Sequence, residues 1–383
     1  MKKIIKVLIV LGTIGLTVAI GSRSGRAQNN DEGKARSGKR LFKRETFVGN
    51  GRTCTTCHSP ETGTVSPEDA QQRFAENPQD PLFVHDGSDD GNGNGVTRML
   101  KDATILVEVP LADNVSLADD PAARSVVLRR GIPSTLNTPA LDTVLMLDGR
   151  EPDLETQALN AIRGHAQSNE PPTEKDLRRI ANFEQDDSFF SSKALRKFAR
   201  TGRVPELPPG ITESEKRGRR FFEDVPFDPA TKAGSCAACH SGPMLNQTNQ
   251  FLPLPIPPGS RFQSVLVSEF NAAGNSVREF IFKNPDGTTT SVSSPDPGRA
   301  LITGDLRVFP FDSLNAFKIP SLWGVSRTAP YFHDNSAKSL EELVAHYKQF
   351  FIVVSTPPGG GDPTIVLTDQ DMADIVAYLK LLE

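Results

Sequence analysis

Apolar residues recur with a helical period in two matched stretches of the chain. Thr173-x-x-Asp176 is followed by Leu177, Ile180, Ala181 and Phe183, and Thr368-x-x-Asp371 by Met372, Ile375, Val376 and Tyr378. The Thr and the acid three residues later form a capping box, and the apolar positions share one face, which predicts amphipathic helices opening at 173 and 368. A second matched pair, Gly38-Lys-Arg-Leu41-Phe42 and Gly218-Arg-Arg-Phe221-Phe222, predicts a short helix near the start of each stretch. Ser339-x-x-Glu342 caps a further helix whose Leu340, Leu343, Val344 and Tyr347 follow the i, i+3, i+4, i+7 pattern. Tyr347 therefore points inward, with His346 about 100° away toward the polar side.

The matched segments read as a duplication. Residues 201–210 carry three prolines and two glycines ahead of the Thr212-x-x-Glu215 capping box, which places a boundary near 205 and gives lobes over 28–205 and 206–383. Before them, Met1-Lys2-Lys3, an apolar run from Ile4 to Ile20 and Gly25-Arg26-Ala27 read as a signal peptide over 1–27, cut after Ala27. The alternative for that run is an uncleaved anchor. No cysteine lies there, which excludes a lipoprotein leader. The 30 glycines and 30 prolines predict long connections between helices. One of these, residues 83–96, is rich in Asp, Asn and Gly; it resembles half of a calcium loop but has Thr97 where the closing Glu should stand, and reads as a solvated turn.

The leader holds five cations and no acid, so its removal moves the formal charge from −4 to −9. An acidic mature chain disfavours nucleic acid and suits a basic or dipolar redox partner. No stable membrane association is expected unless the leader stays uncleaved.

Every cysteine belongs to one of two copies of a single pattern, Cys54-Thr-Thr-Cys57-His58 and Cys236-Ala-Ala-Cys239-His240. This is the attachment signature of c-type haem: two thiols one helical turn apart add to the haem vinyl groups, and the adjacent imidazole becomes the proximal iron ligand. A zinc site would use similar cysteine pairs without explaining a His after both. Disulfides would leave the same coincidence. The chain is therefore read as mainly α, with two cytochrome c-like domains in tandem, each holding one covalent haem c, and as an oxidoreductase or electron carrier. Haem attachment outside the cytoplasm agrees with export to the periplasm.

At this point the chain resembles the bacterial dihaem cytochrome c peroxidases, which include the MauG-type enzymes. Besides the two haem motifs, the resemblance rests on Asn137-Thr-Pro139, Asp148-Gly149-Arg150 followed by Leu154-x-x-Gln157-Ala158, Phe317-Lys-Ile-Pro320-Ser-Leu322, and Thr328-Ala-Pro330-Tyr-Phe-His333-Asp. It implies that His58 is proximal ligand of a haem whose open side binds hydrogen peroxide, and His240 of a haem that stores or relays electrons. Family members carry either Met or Tyr fourteen residues after the His of the Pro-Tyr-Phe-His segment, and Tyr marks the MauG-like branch; here the residue is Tyr347. A phenolate ligand lowers the haem potential and favours high-valent iron. A core role for Tyr347, with His346 or a Met as ligand, is the alternative.

Breaking the O–O bond needs a distal acid-base group. The family uses a Glu near a Gln that matches Gln157. The usual ten-residue step from that Gln to the Glu becomes thirteen if the acid is Glu170, and His165 and Gln167 intervene, so Glu170 and His165 are both candidates. Leu147 stands where many relatives have an inter-haem Trp; the single tryptophan, Trp323, either takes over that role or is core. The resemblance also implies a calcium ion held by the Asn137 side chain and the carbonyls of Thr328 and Pro330. His333 is expected to make a structural hydrogen bond. His85 is either a reversible distal ligand or an ordinary loop residue.

These expectations combine into a periplasmic enzyme that reduces hydrogen peroxide at the His58 haem with electrons relayed through the second haem, a MauG-like high-valent state being open to it. The electrons come from a small cytochrome c or cupredoxin, or from a protein substrate that becomes modified. The competing readings are a dihaem electron-transfer protein without peroxide chemistry and a haem-based sensor.

Overall fold

The computed structural model describes residues 37–383 except 140, 187–189, 253, 255, 272–273 and 308–312. The leader expected over 1–27 lies outside the described residues. Along the chain run helices α1 (37–44), α2 (Cys54–Cys57), α3 (Pro67–Glu76), α4 (Thr97–Asp102), α5 (Leu154–Gly164), α6 (Glu174–Asp186) and α7 (Lys193–Thr201). They are followed by α8 (Glu213–Arg219), α9 (Val267–Phe270), α10 (Ala300–Thr303), α11 (Leu340–Ser355) and α12 (Asp369–Leu379).

The matched segments meet in space within each half. In the first, α1 crosses α6 at Gly38, where a Cβ would lie 2.0 Å from the Arg179 carbonyl oxygen and 2.7 Å from the Phe183 Cβ. In the second, α8 crosses α12 at Gly218, where a Cβ would lie 2.0 Å from the Asp374 carbonyl oxygen and 2.8 Å from the Tyr378 Cβ. Only a residue without a side chain lets the helices approach so closely. Leu41, Phe42, Leu177, Ile180 and Phe183 share one core, and Phe221, Phe222, Ile375, Val376 and Tyr378 share another. The helices start where the caps predict. Thr212 and Thr368 form reciprocal capping boxes, and Ser339 accepts from the Glu342 amide. Thr173 accepts from the Asp176 amide and donates to its carboxylate.

The sequence reading did not anticipate the strands. β1 (Thr104–Pro110), β2 (Val115–Leu117) and β3 (Ser125–Gly131) lie in the first half, and β4 (Phe262–Gln263), β5 (Arg278–Lys283), β6 (Thr289–Ser294) and β7 (Phe317–Lys318) in the second. β1 pairs antiparallel with β3, with Val107 opposite Leu128 and Val109 opposite Val126. The hairpin β5–β6 crosses from the second half to pair with β2, Val115 facing Phe282. Its Phe280 and Phe282, with Ala300 and Leu301 of α10, complete a core otherwise built from Val65 to Ile132. The halves are therefore interlocked through residues 278–303. A buried ion cluster adds to this: Arg130 at the end of β3 donates to Asp148 and, through two nitrogens, to Asp296. Gly131 N also donates to the His333 carbonyl at 2.7 Å.

Among the described residues no helix is long and apolar enough to cross a membrane.

Candidate active site

Each haem motif presents its histidine in the same way. The His58 Nδ1 lies 2.8 Å from the Gly63 carbonyl oxygen and the His240 Nδ1 lies 2.9 Å from the Leu245 carbonyl oxygen, five residues on in both cases. A carbonyl can only accept, so Nδ1 carries the hydrogen and Nε2 keeps its lone pair. Burial outweighs these hydrogen bonds and holds both imidazoles neutral, with His240 pushed down to about 4. All four thiols are free. Burial raises every one of them, Cys236 and Cys239 to about 12, so they stay protonated and available for addition to a vinyl group. Among the described residues no three His, Cys, Asp or Glu side chains converge, so the two cysteine pairs do not build a shared zinc site. Two thiols, a neutral imidazole with a free Nε2 and apolar surroundings are the donor set that haem c requires, and the residues fit it.

The first motif opens on a cavity that reaches the surface. Its walls come from the loop before α2, the ends of β1 and β3, one face of α5, the inner face of α6, and β7. The Gln157 side chain projects from α5 into this space and has no hydrogen-bond partner among the described residues. His165, the residue closing α5, also lines it. Its Nδ1 lies 2.5 Å from Asp86 Oδ2, and its Nε2 has no partner among the described residues. Glu170 is exposed on the following loop, outside the cavity. The structure thus brings Gln157 and His165 to His58 and leaves Glu170 out.

Two wall residues, Arg52 and Glu184, and Asp86 behind His165 escaped the sequence reading. Asp86 is 4% exposed, although it stands in the segment read as a solvated turn. Arg52 Nη1 reaches its Oδ1, while the guanidinium of Arg98 donates to its carbonyl, and these contacts bury Asp86 and Ser88. Only the stretch from Asp90 to Gly95 keeps the solvated character expected of the whole. Burial alone would raise the Asp86 carboxyl, but the hydrogen bonds and charges of His165 and Arg52 hold it below the ordinary carboxylate range. Glu184, one turn beyond Ile180 on α6, is 5% exposed, and its Oε2 has no partner among the described residues. Burial pushes it up to about 8, so it is a neutral acid at pH 7. Its only sequence signal was an acid at i+4 on an otherwise apolar face.

The second motif is closed by aromatic rings. Tyr347 packs in the same core as Cys236, with Phe332, Phe350 and Phe351 at centroid distances of 6.2, 6.0 and 6.3 Å. Its hydroxyl has no hydrogen-bond partner among the described residues, and burial together with Cys239 and Cys236 pushes the phenol well above its ordinary value. His346 faces elsewhere: its Nε2 donates to the Val265 carbonyl at 2.7 Å, with Phe332 against its ring.

Asn137 spans the halves. Its Nδ2 donates to the Trp323 carbonyl at 3.0 Å and its Oδ1 accepts from the Ser192 amide at 3.1 Å, while Thr328 Oγ1 donates to the Val325 carbonyl. Trp323 is buried, and its indole donates to the Pro243 carbonyl in the loop that carries the His240 acceptor. Leu147 lines the first cavity. His333 makes no side-chain hydrogen bond among the described residues; it stacks on Phe317 at 3.7 Å instead. His85 lies outside the cavity wall, its Nδ1 3.2 Å from the Gly91 carbonyl oxygen.

No family model matches the chain. It is 25% identical over 284 residues to the methylamine utilization protein MauG of Methylophilus methylotrophus, covering 68% of this chain and 70% of the relative. It is likewise 25% identical over 294 residues to the cytochrome-c peroxidase IdrP1 of a Pseudomonas species, covering 67% and 70%. In fold it matches a MauG-like protein associated with microbial copper homeostasis, with a TM-score of 0.50 at 20% identity over 92% of this chain and 88% of that one. Joined to the two haem motifs, these likenesses support a relationship to the MauG-type and dihaem peroxidase proteins.

Proposed function

We propose that this chain is an exported dihaem oxidoreductase that reduces hydrogen peroxide in the His58 cavity, with electrons relayed from a second haem held by His240 and Tyr347. The observation that carries this reading is the difference between the two sites. One has a cavity lined by Gln157, His165 and His58, where Gln157 and the His165 Nε2 have no partner among the described residues and the His58 imidazole could hold a haem iron. The other is packed with rings around a phenol that has no hydrogen-bond partner among the described residues. A carrier of electrons has no use for the first arrangement.

Bound through the two cysteine pairs, haem c supplies the redox-active iron. The protein's own contribution is to proton movement and access. Reduction of one peroxide consumes two electrons and two protons and yields two waters. The His165 Nε2 takes the proton that leaves the entering peroxide and returns it to the departing oxygen, as a general base and then a general acid. The Gln157 amide donates to or accepts from the peroxide and fixes its orientation. The apolar walls from Ile105, Val107 and Ile162 limit bulk water. Calcium at Asn137, Thr328 and Pro330 plays no role in this reading, in which the Asn137 amide ties the Trp323 carbonyl to the Ser192 amide.

The electron donor in this reading is a small redox protein, cytochrome c or cupredoxin, or a protein side chain that is modified in the process; the charge of −9 left after leader removal favours a basic one. Cyanide titration of the ferric holoprotein tests the asymmetry: one haem of the two should bind it. Binding at neither would favour the electron carrier.

A further inference from the structure

The His58 cavity contains a polar assembly that neither the haem motifs nor the family resemblance accounts for. Arg52, two residues before Cys54, spends all five of its N–H donors on fixed acceptors. Nε donates to the Pro81 carbonyl at 2.8 Å, and Nη2 to the carbonyls of Leu82 and Val84 at 3.1 and 2.6 Å. Nη1 donates to Asp86 Oδ1 and to the His165 carbonyl, the latter at 3.1 Å. Asn50 Nδ2 also donates to the His165 carbonyl, at 3.0 Å. The backbone of His165 is thus held by the short segment that leads into the first haem motif, and its ring by the carboxylate that Arg52 engages.

We propose that Arg52 and Asp86 are positioning residues that fix the tautomer of His165, so that Nδ1 carries the hydrogen and Nε2 faces the cavity as a base. This rests on the reading of His165 as the distal acid-base group. A carboxylate only accepts, so Asp86 Oδ2 forces the hydrogen of a neutral His165 onto Nδ1. Arg52 holds the other oxygen, Oδ1, and prevents the carboxylate from turning away. Asp86 touches neither the cavity centre nor, in this reading, the peroxide; it acts through His165.

Valence also dictates what an amide does in place of the Asp86 carboxylate. In Asp86→Asn, Arg52 still needs an oxygen, so the amide oxygen stays at the Oδ1 position and the NH2 group faces His165. It then donates to Nδ1 and drives the hydrogen onto Nε2, which can no longer take a proton. Two rate constants read this in the purified ferric holoprotein: association of cyanide, which sheds its proton on binding, and reaction with hydrogen peroxide. Both should fall by roughly 10²-fold in Asp86→Asn and by a similar factor in His165→Gln. The double variant should be no slower than His165→Gln alone, because the two residues act as one unit. Arg52→Lys keeps the charge but cannot reach Asp86 and the His165 carbonyl together, and should lower both rates about 3- to 10-fold, again only while His165 is present; it carries the test if Asp86→Asn does not fold.

Unchanged rates in the Asp86 and Arg52 variants would overturn the proposal. So would losses that persist undiminished in the His165→Gln background, since these would mark a purely structural role. If His165→Gln itself leaves both rates at the wild-type level, the assignment of the distal base has failed instead, and the two failures are thereby told apart.

Discussion

Replacing Gly218 by Ala tests whether the two halves are copies of one helix crossing. The added Cβ would sit 2.0 Å from the Asp374 carbonyl oxygen, where ordinary contact begins at 3.4 Å. The obstacle is backbone, not the end of a mobile side chain, so α8 and α12 must part locally by about 1.4 Å. Overpacking of this kind costs about 1 to 3 kcal/mol, a large share of the roughly 5 to 15 kcal/mol that holds a domain folded. Gly38→Ala meets the Arg179 carbonyl oxygen at the same 2.0 Å and should cost a similar amount in the first half. Gly164→Ala is the control: it sits at the end of α5 with no atom within 4 Å of the new Cβ, and helix propensity alone makes it neutral or up to about 1 kcal/mol stabilising. The assay is guanidinium unfolding of the holoproteins followed by far-UV circular dichroism, comparing midpoints at unchanged slope. Midpoints for Gly38→Ala and Gly218→Ala that match wild type, or a loss in Gly164→Ala equal to theirs, would refute the crossing argument.

Tyr347→Phe removes a hydroxyl without a hydrogen-bond partner among the described residues, so it should change stability by less than about 1 kcal/mol while altering the absorption spectrum of the His240 haem; an unchanged spectrum would remove Tyr347 as a ligand. Glu184 should make stability depend on pH. Its folded value, raised by burial to about 8, lies above the roughly 4.3 of an unfolded Glu, so its contribution is fully present below about pH 4 and is lost as pH rises through about 8. Glu184→Gln should flatten the decline in unfolding midpoint between those limits, and a wild-type decline that survives the substitution would assign it to another group.

What could be read from sequence was local. The two haem motifs, the caps at Thr212, Ser339 and Thr368 and the apolar faces behind them depend on spacings of a few residues, and the structure realises each cap. The Gly38 and Gly218 segments were recognised as a matched pair because each lies at a similar offset from its haem motif, although the helix they cross is far away in sequence. What escaped depends on long-range pairing. The alternation of buried Ile105, Val107 and Val109 marks a strand only once β3 is known to lie beside it, and nothing near residue 280 announces that Phe280 and Phe282 complete the core of the other half. Distal residues failed for the same reason. Glu170 and His165 are five apart, and spacing alone cannot say which of them turns inward. The deciding contact, from Asp86 to His165, joins positions 79 residues apart.

The claim that peroxide is reduced in the His58 cavity is tested most directly by rapid mixing of the ferric holoprotein, and then of the half-reduced form, with one equivalent of hydrogen peroxide. The account predicts a prompt change in the haem spectrum in at least one of these states, with peroxide consumed and no dioxygen released, and its suppression by cyanide bound to one haem. Spectra and peroxide that both stay unchanged in the two states would contradict it and leave an electron carrier.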